Sequence, residues 1–173
     1  SSADKTFSYI PKPPAEAYSS KDEVDYCYIC YNNTIYGTRF TELPKTEATL
    51  VADISSCAMS EVIDVSKFGL LFAGAQKNLG PAGVVLVIAR EDLLGEPMEG
   101  TPTMLTYKTH ADAGSLYNTP PTYGIYIFKL VLEWIKSKGG IAELQKINEA
   151  KAKLLSDYLD SSKLYKGTVV KED

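Results

Sequence analysis

Two apolar runs, Phe68 to Ala73 and Val84 to Ala89, flank a segment of small residues that carries a single lysine, Lys77. Their length and apolar, partly β-branched content predict buried strands, so the joining segment belongs at the edge of a buried sheet. Gly74, Ala75, Gly80, Ala82 and Gly83 keep that segment thin. A lysine held there is expected to be partly desolvated, which favours the neutral amine that attacks carbonyls. Taken alone, the segment is more simply a polar turn with Lys77 in water, because polar residues between strands are the rule.

A second feature bears on the first. Ala48-Thr49-Leu50-Val51-Ala52-Asp53 is a short apolar strand ending in a carboxylate, followed by Ile54-Ser55-Ser56. Carboxylates at the C-terminal ends of buried strands in α/β sheets stand where ligands bind. On its own, Asp53 also reads as a cap for the turn that follows.

Three segments occur in order: Val51-Ala52-Asp53-Ile54-Ser55-Ser56, Ala73-Gly74-Ala75-Gln76-Lys77-Asn78-Leu79-Gly80-Pro81-Ala82-Gly83 and Tyr117-Asn118-Thr119-Pro120-Pro121-Thr122. In order and spacing they resemble the phosphoserine aminotransferase family, as do Arg90-Glu91-Asp92-Leu93-Leu94-Gly95 and Leu132-Glu133-Trp134-Ile135-Lys136. The first two segments alone indicate only the broader group of class V, fold-type-I enzymes that use pyridoxal 5′-phosphate. The third narrows it.

The resemblance implies that Lys77 binds pyridoxal 5′-phosphate covalently and then shuttles the substrate proton. Asp53 would pair with the protonated ring nitrogen, which lets the ring take up carbanion charge. Gln76 would contact the cofactor phosphate. Asn118 and Thr119 would reach the phosphate of the cofactor in a partner subunit, so a homodimer with a shared active site is implied. Thr34, in Tyr31-Asn32-Asn33-Thr34-Ile35-Tyr36-Gly37, matches the family threonine that hydrogen-bonds the cofactor's phenolic oxygen; from composition alone it is a turn residue after the strand Tyr26 to Cys30. Thr119-Pro120-Pro121 also reads as a helix entry, with Thr119 as N-cap and proline in the first turn. The two readings of Thr119 are compatible, because a helix N-terminus offers free N–H groups to a phosphate.

The 173 residues suffice for one ordinary domain, and a net charge of -4 with no basic block argues against nucleic acid as a partner. No stretch approaches the roughly 20 apolar residues of a membrane span, and no signal peptide is visible, so a cytoplasmic protein is expected. Three cysteines are too few for a disulfide framework. Cys27 and Cys30 face opposite sides of a strand, which makes them poor metal co-ligands and favours free thiols. A single histidine, His110, leaves little room for a histidine-based zinc site or a Ser-His-Asp triad. No metal site is expected. The segment around Lys77 is not a phosphate loop, since no hydroxyl residue follows the lysine.

Strands are predicted at 25–31, 48–53, 68–74 and 83–89, with a short helical piece after Arg90 and an extended, proline-bearing connection over 1–20. The helix predicted over 122–137 is apolar on nearly every side and so should be sandwiched; Gly139-Gly140 ends it. The next, over about 141–159, carries a stripe of Ile141, Leu144, Ile147, Leu154, Leu155, Tyr158 and Leu159. The fold class expected is α/β: part of the large domain of the fold-type-I transferases, a mixed, mostly parallel sheet with flanking helices, incomplete in this chain. Residues 1–140 would belong to that cofactor-binding domain, 141–160 to the interdomain helix and 161–173 to the start of a small C-terminal domain.

Against a family member of about twice its length, the chain covers the middle half, and it begins with serine, so a fragment of a longer enzyme is expected. The family's glycine-rich phosphate contact, ring-stacking tryptophan and substrate arginines would lie outside it. The reaction implied is transfer of an amino group between glutamate and 3-phosphohydroxypyruvate by a ping-pong mechanism in serine biosynthesis; whether a phosphorylated hydroxythreonine is also a substrate, as in pyridoxine biosynthesis, stays open. Two alternatives stay open as well. One is another class V activity such as an alanine-glyoxylate type aminotransferase; the other is a core without activity of its own, acting as a scaffold or dimerising.

Overall fold

A computed structural model describes residues 5–95 and 97–171. Residues 1–4 of the expected N-terminal connection and 172–173 of the expected small-domain start lie outside that range. The strands are β1 (Tyr26–Cys30), β2 (Asn32–Asn33), β3 (Thr38–Arg39), β4 (Thr49–Asp53), β5 (Leu70–Gly74) and β6 (Val85–Ala89). The helices are α1 (Tyr107–Asp112), α2 (Thr122–Ser137) and α3 (Ile141–Ser161). The four predicted strands and both long helices are thus present, and the short piece after Arg90 is a 3-10 turn over Glu91–Leu93.

The main sheet has the order β1-β4-β5-β6. β1, β4 and β5 run parallel, and β6 returns antiparallel to β5. All three parallel strands therefore end at one edge of the sheet, at Cys30, Asp53 and Gly74. That edge is where α/β sheets bind ligands. β2 and β3 form a separate antiparallel hairpin just beyond the end of β1.

Strand alternation divides the sheet into two unlike faces. Ile29, Leu50, Ala52, Leu71 and Ala73 point to one side and form the core with Ile54, Cys57, Ala58, Phe68, Ala75 and Leu79; Phe128 of α2 packs against it. The other face carries Tyr26, Tyr28, Cys30, Val51, Asp53, Phe72, Val85 and Val87, as the register Tyr28↔Val51, Asp53↔Phe72 and Phe72↔Val87 requires. Tyr28 and Phe72 lie with parallel rings on it, centroids 6.4 Å apart. Tyr26, Tyr28, Val85 and Val87 are exposed there. Cys27 and Cys30 fall on opposite faces as expected, and both are free thiols.

Three expectations need correction. β6 is not a buried strand: among the described residues it pairs only with β5, and its residues are exposed or half-buried. α2 is not sandwiched, because one side alone finds partners: Gly124 and Ile135 are buried, while Tyr123, Tyr126, Leu130 and Trp134 face outward. Thr119 is not the N-cap of α2; Pro121 occupies that position and no side chain caps the helix. Proline disfavours helical backbone at the residue before it, so two consecutive prolines hold Thr119 and Pro120 out of the helix and delay its start to Thr122.

At the other end α2 stops as expected. Gly139 and Gly140 have φ of +93° and +88°, the left-handed region that favours glycine. α3 then docks by its first half only: Leu144 is buried, Gln145 Oε1 accepts from the Val62 amide at 2.9 Å, and Asn148 donates to Ser60 O at 2.9 Å. Leu154, Leu155 and Tyr158 of its second half are exposed.

Candidate active site

β4 ends in Asp53, and the chain must turn immediately afterwards to reach β5. Asp53 Oδ1 organises that turn by accepting the Ser55 amide at 2.8 Å and the Ser55 hydroxyl at 2.6 Å. The capping role expected for a strand-end aspartate is therefore real. It uses one oxygen. Among the described residues no hydrogen bond or ion pair reaches Oδ2, although Asp53 is half-buried.

This carboxylate shapes its surroundings. Burial and then the Asp53 charge push the Cys30 thiol and the Tyr28 phenol upward from their usual values. Among the described residues Asp53 has no cationic partner, and a half-buried carboxylate so placed favours the approach of a cation or of a charged N–H donor.

The adjacent strand leads into the lysine. After Gly74 the chain folds into a tight turn in which the amides of Leu79 and Gly80 both bond Ala75 O, at 3.0 and 2.8 Å. Leu79 is fully buried and pins the turn to the core. Asn78 Nδ2 donates to Ala58 O at 2.7 Å, fastening it to the turn that follows Asp53. Gln76, Lys77 and Asn78 are left on the outside. The desolvation expected at Lys77 is absent: the residue is exposed, because the sheet face beside it carries no covering element among the described residues.

Thr34 is exposed at the tip of the β2–β3 hairpin, where Asn33 Oδ1 accepts the amides of Ile35 and Tyr36 at 3.2 and 3.4 Å. It shares a cleft of about 510 Å³ with Arg39, Ser56, Cys57 and Asn148, so the hairpin and the turn after Asp53 are neighbours. Neither Lys77 nor Asp53 lines that cleft; Asp53 lies on the exposed sheet face, and Lys77 is exposed in the turn beyond β5. Asn118 and Thr119 lie exposed in the segment before α2, and among the described residues no hydrogen bond ties them to the β4–β5 edge.

The groups brought to the carboxyl edge form a donor set of definite chemistry. Among the described residues they are an amine and an amide without a hydrogen-bond partner (Lys77 and Gln76), a hydroxyl (Thr34) and a carboxylate with one open oxygen (Asp53). This suits a cofactor that carries an aldehyde, a basic ring nitrogen, a phenolic oxygen and a phosphate. Sequence reasoning missed Ser55, Asn78 and Leu79 as its supports. Only Ser55 left a local signal, its place two residues after a strand-end aspartate. Among the described residues no cluster of histidine, cysteine or carboxylate side chains could hold a metal ion.

Residues 14–173 match the family model described as aminotransferase class-V. The chain is 52% identical over 166 residues to the phosphoserine aminotransferase of Desulfotalea psychrophila, covering 96% of this chain and 45% of that protein. To that of Listeria monocytogenes it is 50% identical over 169 residues, covering 98% and 45%. Among solved structures, a phosphoserine aminotransferase studied for radiation damage to its Schiff base matches with a TM-score of 0.89 at 45% identity, over 96% of this chain and 46% of that one. The phosphoserine aminotransferase of Trichomonas vaginalis with pyridoxal phosphate bound matches with a TM-score of 0.86 at 34% identity, over 92% and 45%. The chain thus spans slightly under half the length of these relatives.

Proposed function

Because this chain belongs to the aminotransferase class-V family, we propose that it supplies the lysine-bearing part of a phosphoserine aminotransferase, moving an amino group from glutamate to 3-phosphohydroxypyruvate. The observation that carries the proposal is the pairing of an unengaged lysine and a half-engaged aspartate at one sheet edge, in a chain about 50% identical to phosphoserine aminotransferases. When bound, pyridoxal 5′-phosphate supplies an electron sink for the charge left at the substrate Cα.

The chain's own residues divide the remaining work. Lys77 Nζ would hold the cofactor covalently, and its amine is the group placed to take up and return the substrate proton. Asp53 Oδ2 would accept the N–H of the ring nitrogen and favour its cationic form. The Gln76 amide would donate to the cofactor phosphate, and the Thr34 hydroxyl to its phenolic oxygen. Asn118 and Thr119, both exposed before α2, would serve the phosphate of the cofactor in a partner subunit of a homodimer.

Residues 1–140 form part of the cofactor-binding domain, 141–160 the connecting helix and 161–173 the opening of a small domain. The way α3 docks by its first half and leaves Leu154, Leu155 and Tyr158 exposed supports that division. A second reading concerns the 173 residues taken alone. The open apolar face around Tyr28 and Val87 favours a core without turnover, whose activity requires further elements over that face. No helix is long and apolar enough to cross a membrane among the described residues, and the free cysteines support a cytoplasmic location.

The test is a substrate comparison in the full-length enzyme. Formation of O-phosphoserine and 2-oxoglutarate from glutamate and 3-phosphohydroxypyruvate is expected, with glyoxylate a far poorer acceptor. Preference for glyoxylate would replace the proposal with an alanine-glyoxylate type activity.

A further inference from the structure

The turn after β4 contains two consecutive serines that do different things. Ser56 lines the cleft beside Thr34. Ser55 links two strands: its hydroxyl and amide both donate to Asp53 Oδ1, at 2.6 and 2.8 Å, while its oxygen accepts the amide of Gly74 at 2.9 Å.

The direction of every proton in this chain of bonds is fixed. A backbone N–H can only donate, so Ser55 Oγ is the acceptor from Gly74, and its one proton is left for Asp53. Oδ1 is thus committed to the protein, and Oδ2 is the only carboxylate oxygen open to a ligand. The Gly74 amide lies three residues before Lys77, so the same hydroxyl sets the position of the carboxylate relative to the lysine-bearing strand.

We infer that Ser55 is the positioning residue of the cofactor site: it turns the Asp53 carboxylate so that Oδ2 faces the ring nitrogen of pyridoxal 5′-phosphate and ties it through Gly74 to the strand that delivers Lys77. The inference rests on the assignment of Asp53 to the ring nitrogen made above. Without the hydroxyl, Asp53 keeps one of its two donors and can rotate, and the half-buried Gly74 amide loses its acceptor.

The experiment loads the full-length enzyme with cofactor labelled with 15N in the ring and records the ring nitrogen signal and the cofactor dissociation constant. Wild-type protein is expected to show a protonated ring nitrogen. Ser55→Ala should move the signal toward the unprotonated position and weaken binding about ten-fold, the size of one lost hydrogen bond to a charged group. Ser55→Thr, which keeps the hydroxyl, should restore both. An unchanged signal and affinity in Ser55→Ala, or a lost signal in folded Ser55→Thr, overturns the role of Ser55 while leaving Asp53 in place. An unprotonated ring nitrogen in wild-type protein overturns the assignment of Asp53, and the inference with it.

Discussion

The side-chain amide of Asn78 donates to the carbonyl of Ala58 across 2.7 Å, so the turn that carries Lys77 is fastened to the turn that follows Asp53. The lysine and the carboxylate come from strands joined by only three register pairs, and this bond extends their coupling beyond the sheet. Removing the donor would leave a partly buried carbonyl unsatisfied. Asn78→Ala is expected to cost about 1–3 kcal/mol in denaturant unfolding. It should also slow reaction of Lys77 with pyridoxal phosphate, read from the rise of cofactor absorbance.

Leu79 anchors the same turn from below. It is fully buried and belongs to the same core as Leu71 and Ala73 of β5, against which Phe128 of α2 packs. Leu79→Ala should cost about 2–5 kcal/mol by urea titration, the range for a leucine lost from a packed core. A loss under 0.5 kcal/mol would mean that the turn is not core-anchored.

Gly74 is needed for space. A Cβ there would stand 2.6 Å from Oε1 and 2.8 Å from Nε2 of Gln76, whose side chain folds back over the glycine. That amide is the end of a flexible chain and can swing away, so Gly74→Ala should fold. The displaced amide is the proposed phosphate contact. Weaker cofactor binding, by about ten-fold in a dissociation constant, is expected with little change in melting temperature.

Cys57 sets a pH dependence with a definite sign. Burial first, then the charge of Glu61, pushes its thiol from the usual 9.0 up to about 12. The group is neutral in the folded chain where the unfolded chain has already ionised, so its contribution is full below pH 9 and is lost as the pH rises toward 12. Stability should fall across that window, and Cys57→Ala should flatten the fall attributable to this thiol. Equilibrium unfolding of both proteins at pH 8 and pH 10.5 measures the difference. Equal losses in the two would remove Cys57 from the account.

Much of this arrangement was legible in the sequence because it rests on local patterns. The apolar runs around Lys77 and before Asp53 marked β4, β5 and β6 to within two residues. Gly139-Gly140 marked the end of α2, where a positive φ is required. What could not be read depends on partners distant in the chain. Asn78 and Ser55 find their acceptor and donor 20 and 19 residues away. The exposure of β6 and α2 depends on what covers them, and an apolar sequence reports the need for a cover without reporting its presence. Thr119 failed as a cap for a nearer reason: the two prolines that seemed to start the helix are the residues that delay it.

The most direct measurement of the central claim is borohydride reduction of the protein with pyridoxal phosphate bound, followed by peptide mass mapping. Pyridoxyl mass confined to the peptide containing Lys77, and abolished in Lys77→Ala, is the predicted result. Modification spread over other lysines, or retained in Lys77→Ala, would contradict the assignment of Lys77 as the cofactor-binding amine.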